Sequence, residues 1–310
     1  MSTTALPLVS VALCTYNGEK HIAEQIDSII SQTYPNIEIV ICDDQSNDST
    51  IEILNQYALK FPFISIHQNN KNLGFVKNFE QAISKCSGDY IALSDQDDIW
   101  MAEKLNTLIA NIADSDLIYH DSNFIDDFGK LIPDRKMSDH YRSYDGQSNL
   151  PFLTSNCVAG HAMLFKRCLI STILPFNPEF YHDWWITFVA ITIGKIKAIP
   201  NVLVNYRQHE KSVTDTFNLK TPENNNQKGY LNFDLKWISH CANFSQNKRN
   251  PAEIGKIYNR LLSYSEGQRG FKLFIFLLKY YHILFYFHLK GKNRFSQLNT
   301  IRKICFNTNN

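Results

Sequence analysis

No GxGxxG follows the first apolar run of this sequence, and no GxxxxGK(S/T) stands anywhere in its 310 residues. The first absence argues against a dinucleotide-binding Rossmann domain and the second against a P-loop, because each motif supplies the close backbone approach its phosphates need. The seven cysteines, at 14, 42, 86, 157, 168, 241 and 305, form no CxxC pair and no zinc-type spacing. Several lie in apolar, strand-like runs, where cysteine behaves as a small buried hydrophobe. That usage fits a reducing cytoplasm. Met1 to Pro7 is short and uncharged, so no secretory leader is expected. A spanning helix wants roughly 20 mostly uncharged apolar residues. The richest run, Phe271 to Leu289, falls short of that and carries Lys272, Lys279, His282 and His288.

What is present is a chain long enough for one large domain, or a domain with an appendage. Its hydrophobic content of 44% is ordinary, so a sizeable core is available. Net charge is +1, but it is unevenly spread. Residues 1–229 hold 18 basic against 27 acidic side chains, and residues 230–310 hold 13 against 3. An acidic body with a basic tail suggests two jobs, the tail meeting nucleic acid, anionic lipid or a phosphate-bearing ligand.

The first half alternates short apolar runs with amphipathic segments. Strands are predicted at Leu8–Leu13, Ile37–Cys42, Ile64–Gln68, Tyr90–Leu93 and Leu117–His120. Helices are predicted at Lys20–Gln32, Ser49–Lys60, Phe75–Lys85 and Ala102–Ile112. This is the pattern of a parallel α/β sheet. Ligands in such sheets bind at the carboxyl ends of the strands. Thr15-Tyr16-Asn17, Asp43-Asp44 and Asp95-Gln96-Asp97 all fall at such ends. Beyond them, residues 124–150 read as a polar excursion, Val202–Tyr206 as a late strand, and 215–229 as a linker. Helix-like segments follow near 231–247 and 252–266.

The strand-end cluster Ser94-Asp95-Gln96-Asp97-Asp98 puts three carboxylates after an uncharged strand. Like charges this close repel unless a cation sits among them. Carboxylate oxygens suit Mg²⁺ or Mn²⁺, which in turn grip phosphates. The motif alone leaves two readings open, a metal–diphosphate site or a solvated turn capping the helix near Met101.

Taken in order, Ser10 to Gly18, Ser31-Gln32-Thr33-Tyr34, Ile39 to Thr50, Asn72-Leu73-Gly74-Phe75 and Gly88-Asp89-Tyr90-Ile91 resemble the N-terminal signature of family 2 glycosyltransferases. Ser94 to Trp100 resembles the rhamnosyltransferase-like subgroup of O-antigen and capsule assembly. The resemblance covers roughly residues 7–214. It implies a GT-A type α/β fold with a mostly parallel central sheet, a nucleotide-diphosphate sugar donor, a divalent metal, Mg²⁺ or Mn²⁺, and inversion at the anomeric carbon.

By the same resemblance Thr15, Tyr16 and Asn17 hold the nucleoside, Asp44 reads the base, and Asp95 meets ribose or metal-bound water. Asp97 binds the metal, with His209 joining the metal or the diphosphate, and the role of Asp98 stays open. Lys77-Asn78 stands nearer to Gly74 than Arg-Asn does in many relatives and supplies a basic residue of the donor site. Asp183 in Tyr181-His182-Asp183-Trp184-Trp185 is the expected general base, since an inverting transfer needs a group to take the acceptor proton. His182 is the substitute and a plain helix N-cap the alternative. Gly160 and Trp184 are assigned to the acceptor sugar, and Arg207 to a phosphate. Asp43 and Asp48 are either site residues or caps of the helix at Ser49.

The expected architecture is a catalytic domain over 1–214, a linker over 215–229, and a basic, aromatic-rich helical extension over 230–310. The extension either lies in a membrane interface, packs on the domain or makes a homo-oligomer. The expected activity is transfer of a sugar, L-rhamnose from dTDP-L-rhamnose as first candidate, to a glycan or lipid-linked glycan of a surface polysaccharide. A UDP-hexose donor and a non-catalytic carbohydrate- or nucleotide-binding module are the alternatives. No nucleic-acid partner is expected, because the body is acidic and carries no motif of the known modules. The expected location is the cytoplasm, including its membrane face.

Overall fold

The computed structural model describes residues 6–208, 234–268, 270–288 and 294–306. The expected linker and His209 lie outside them. Strand β1 (Val9–Thr15) is buried along its whole length. It runs parallel to β2 (Ile37–Asp43) on one side and to β4 (Tyr90–Ser94) on the other. Next to β2 lies β3 (Ile64–Gln68), again parallel. Helices α1 (Ile22–Ile30), α2 (Thr50–Lys60) and α3 (Phe75–Lys85) make the crossovers. Successive strand residues face opposite sides. Val9, Val11 and Leu13 accordingly join Ile22, Ile26 and Ile29 in one core layer. Ala12 and Cys14 join Val76, Phe79 and Ile83 in the other.

The second half is mixed. It contains β5 (Ile99–Trp100), α4 (Lys104–Ile112), β6 (Leu117–Ile125), β7 (Leu131–Lys136), α5 (Met137–His140), β8 (Met163–Lys166), α6 (Ile170–Ile173), α7 (His182–Ile193) and β9 (Ile196–Arg207). The sheet order is β3-β2-β1-β4-β8-β6-β9-β5, with β7 on β6. Strand β8 is antiparallel to β4 and β6, β9 is parallel to β6, and β5 is antiparallel to β9. The polar excursion therefore holds a strand and a short helix, and the expected strand at Val202–Tyr206 is the end of a longer one.

Among the described residues four further α-helices follow, α8 (Leu235–Ala242), α9 (Pro251–Ser265), α10 (Phe271–Leu284) and α11 (Arg294–Phe306). Trp237, Ile238, Ile254, Ile257, Leu261, Leu284 and Phe287 share one core with Phe152, Trp185 and Phe188 of the body. The indole N–H groups of Trp184 and Trp237 both donate to the Phe152 carbonyl, at 2.7 and 3.0 Å. The extension thus packs on the domain with one face. Phe271, Ile275 and Leu278 of α10, and Phe295 and Leu298 of α11, remain exposed. Among the described residues no helix is long and apolar enough to cross a membrane.

Candidate active site

The carboxyl ends of β1, β2 and β4 open into a cavity of about 1060 Å³. Thr15, Tyr16, Asn17, Asp44, Asp95, Asp97, Gly160 and Asp183 all line it. Sequence reasoning placed these eight together, and the fold brings them to one space. Lys77 and Trp184 are not among the lining side chains. Lys77 pairs with Glu80 at 2.8 Å one turn along α3, and Trp184 packs against Trp237.

At the β1–β2 end the polar groups organise one another. Thr15 Oγ1 donates to Asp43 Oδ2 at 2.9 Å, and Ser46 donates to Asp43 through both its N–H and its hydroxyl. Asp43 therefore closes the turn after β2. Asp48 accepts from the Thr50 N–H at the start of α2, which is the capping role. Asn17 bridges the two loops, donating its N–H to Ser46 Oγ and accepting the Asn47 N–H, each at 2.8 Å. Asp44 accepts the N–H groups of Leu73 and Gly74 at 2.8 and 2.9 Å. Gly74 has φ +79°, a conformation that suits glycine and lets the Asn72–Gly74 turn aim those groups at one carboxylate. The Gln96 side chain ties the β4 turn to β1, accepting from Tyr16 N–H and donating to Tyr16 carbonyl.

The acidic turn is split by depth. Asp95 and Asp97 are half-buried and face the cavity, whereas Asp98 is fully buried behind them. Burial, then the Asp97 and Asp183 carboxylates, push Asp95 up to about 7. Burial, then the Asp97 and Asp95 carboxylates, raise Asp98 well above the usual carboxylate range. Asp98 Oδ1 accepts from the Arg207 N–H, and its Oδ2 has no partner among the described residues. His161, from the glycine loop, stacks on Tyr206 at 4.3 Å. Its Nε2 lies 3.0 Å from Ser122 Oγ. Ligand atoms of Asp95, Asp98 and His161 lie within 4.8 Å of one another. An orphaned buried carboxylate oxygen in an oxygen-rich cluster with one imidazole fits a hard divalent cation such as Mg²⁺ or Mn²⁺. Sequence reasoning named Asp97 and His209 for this and missed His161. The only sequence signal for it is its place beside Gly160.

Two basic groups are spoken for. Lys104 is buried, sits 3.4 Å over the Trp100 ring, and donates to the His161 carbonyl at 2.7 Å. Burial lowers its pKa. Arg207 is equally buried, and each of its three guanidinium nitrogens donates to the protein. Nε donates to the Asp97 carbonyl, Nη1 to the Asp126 carbonyl and Nη2 to Glu24 Oε2. Arg207 lines the cavity while these bonds hold its guanidinium against the acidic turn.

Across the cavity, Asp183 stands in the first turn of α7. Its Oδ1 accepts the Trp184 N–H at 2.6 Å, so it also caps locally. Burial raises its carboxyl to about 6. A Cβ at Gly160 would lie 3.7 Å from the Asp183 Cβ, so the glycine leaves the space before that carboxylate open. The loops at the β1–β2 end, the acidic turn and the Asp183 carboxyl thus share one cleft.

The family profile described as "Glycosyl transferase family 2" matches residues 10–173, more than half of the chain. The dTDP-rhamnosyl transferase RfbG of Shigella flexneri is 31% identical over 271 residues, 83% of this chain and 88% of that one. The UDP-Glc:alpha-D-GlcNAc-diphosphoundecaprenol beta-1,3-glucosyltransferase WfaP of Escherichia coli is 35% identical over 119 residues, 38% of this chain and 47% of that one. Among solved structures, S. aureus TarS 1-349 in complex with UDP superposes with a TM-score of 0.58 at 18% identity, over 82% of this chain and 70% of that one. At that identity the likeness is one of fold.

Proposed function

The chain belongs to glycosyl transferase family 2 and is a glycosyltransferase of GT-A type α/β fold, and from that premise we propose that it transfers L-rhamnose from dTDP-L-rhamnose, with inversion, to a glycan acceptor of surface polysaccharide assembly. The observation that carries this reading is the convergence of Asp44, Asp95, Asp97 and Asp183 on one cavity. Similarity to RfbG over most of both chains supports the choice of donor.

Thr15, Tyr16, Asn17 and the Asp44-held turn hold the nucleoside. Asp95 and Asp97, with Asp98 and His161 behind them, are the residues that would hold Mg²⁺ or Mn²⁺. That cation supplies charge neutralisation for the diphosphate. Asp183 takes the proton of an acceptor hydroxyl as its oxygen attacks the anomeric carbon from the face opposite the diphosphate. The new C–O bond forms as the anomeric C–O bond to phosphate breaks, and the electron pair leaves with the nucleoside diphosphate. Gly160 leaves room for the acceptor. Trp184 and Lys77 support α7 and α3 from outside the cavity.

A second reading keeps the chemistry and changes the donor to a UDP-hexose, which the partial similarity to WfaP favours. Thermal shift and donor hydrolysis with dTDP-L-rhamnose, UDP-glucose and UDP-GlcNAc, each with Mn²⁺, separate the two. Stabilisation and turnover greatest with dTDP-L-rhamnose are expected. No response to any nucleotide sugar would refute both.

The acceptor class we assign is a lipid-linked glycan. The exposed apolar residues of α10 and α11, beside a strongly basic tail, suit peripheral binding to an anionic membrane face.

A further inference from the structure

His182 opens α7 and lines the cavity beside Asp183. The residue is 7% exposed, and neither ring nitrogen has a hydrogen-bond partner among the described residues. Buried polar groups are ordinarily satisfied, and one left open in a cleft asks for a ligand. The neighbours of the ring fix its plane without offering it a bond. It stacks on Phe79 at 4.2 Å, and Phe75 and Phe176 each lie at 6.0 Å. A Cβ at Gly160 would stand 3.6 Å from Nε2, so that nitrogen lies against the glycine turn of the cavity wall.

The protonation state narrows the ligand. Burial holds the ring down at about 3, so it is neutral throughout the physiological range. A neutral imidazole offers one N–H donor and one lone-pair acceptor. It gives a phosphate no positive charge to meet. A hydroxyl, which both donates and accepts, matches it. The surroundings match a sugar as well. Phe75 and Tyr181 line the same wall, 40% and 52% exposed, with ring centroids 5.9 Å apart. Such rings give the apolar C–H face of a saccharide a surface to lie on.

We propose that His182 is a positioning and specificity residue that hydrogen-bonds a saccharide hydroxyl, holding the ring that lies against Phe75 and Tyr181 in register with Asp183. The proposal rests on the glycosyltransferase reading and deepens it. The hydroxyl belongs either to the transferred sugar or to the acceptor sugar. A site built around a hydroxyl discriminates strongly against an analogue that lacks it.

The test compares wild type with His182→Phe, which keeps the aromatic packing and removes both polar atoms, and with His182→Gln, which restores a donor and an acceptor. Binding of dTDP and UDP by the unaltered chain is measured first, so that failure of the enzyme reading stays distinct. Calorimetry with dTDP, UDP, dTDP-L-rhamnose and UDP-glucose then gives the donor arm. The KM for an octyl rhamnoside or glucoside acceptor gives the other. For His182→Phe, nucleoside diphosphate affinity should stay within about twofold, while one arm weakens roughly tenfold, the worth of one net hydrogen bond. Weaker nucleotide-sugar binding assigns the hydroxyl to the donor, and a raised acceptor KM assigns it to the acceptor. His182→Gln should recover part of the loss, and a deoxygenated substrate should bind wild type and His182→Phe alike. Equal weakening toward bare nucleoside diphosphate, or no change in either arm for both variants, overturns the proposal.

Discussion

The backbone N–H of Arg207 donates to Oδ1 of Asp98 over 3.1 Å, tying the end of β9 to the acidic turn after β4. The Arg207 side chain then reaches the Asp97 and Asp126 carbonyls and Glu24. One guanidinium holds the acidic turn, the β6–β7 turn and α1 in fixed relation. Arg207→Met should strand the Asp97 carbonyl, at about 1–3 kcal/mol for a carbonyl left buried without a donor, while the Asp126 carbonyl keeps the Gly129 N–H. The expected result is a lower midpoint in urea and loss of transfer together. A variant with normal stability but weaker nucleotide binding would return the arginine to the phosphate role.

Asp183 gives a pH prediction. A base works deprotonated, and burial raises this one to about 6. Below that value the working form falls tenfold per pH unit, so kcat/KM should drop on the acid side and level off above it. Asp183→Asn should lower turnover by roughly 10²–10⁴-fold and abolish the limb. An unchanged acid limb in the variant would assign it to another group.

The carboxylate cluster gives a metal prediction. Mn²⁺ bound only by the folded chain raises its melting temperature by mass action. Wild type should gain stability with Mn²⁺ and lose transfer in EDTA. Asp97→Ala should lose transfer while melting cooperatively. Full activity in EDTA would remove the cation from the mechanism.

The extension gives a paired prediction. Trp237 is 1% exposed in the shared core, and Trp237→Ala should cost about 3–5 kcal/mol. A chain ended at residue 228 loses that whole layer and should show no cooperative melt. Phe271, Ile275 and Leu278 face outward, so changing all three to Ser should leave the melt intact and abolish flotation with anionic vesicles. Flotation unchanged by the triple variant would locate membrane contact elsewhere or nowhere.

The parallel half of the sheet is readable because β1, β2 and β4 are mostly buried along their length and its crossover helices carry a helical period. Each expected strand from Leu8 to His120 coincides with an observed one to within a few residues, except that β6 runs on to Ile125. The two-residue β5 has no local signal, since it exists only through pairing with β9. The site residues at strand ends were legible for the same reason as the strands. The parts that were not legible depend on partners far along the chain. Arg207 looks free in sequence until Glu24, Asp97 and Asp126 surround it. Lys77 looks aimed at a donor until Glu80 takes it. His161 has no acidic neighbour in sequence, and meets Asp95 and Asp98 only because β8 is laid beside β4.

The Phe152 carbonyl receives two indole N–H groups, one from α7 and one from α8. During synthesis the first is made well before the second. Chains emerge at roughly 5–20 residues per second, so Phe152, Trp185 and Phe188 leave the ribosome seconds ahead of Trp237 and the helices that cover them. For that interval one side of the sheet is an uncovered aromatic surface. Recombinant yield should therefore depend on how fast translation runs past residue 235 and on the chaperones that meet the nascent chain there.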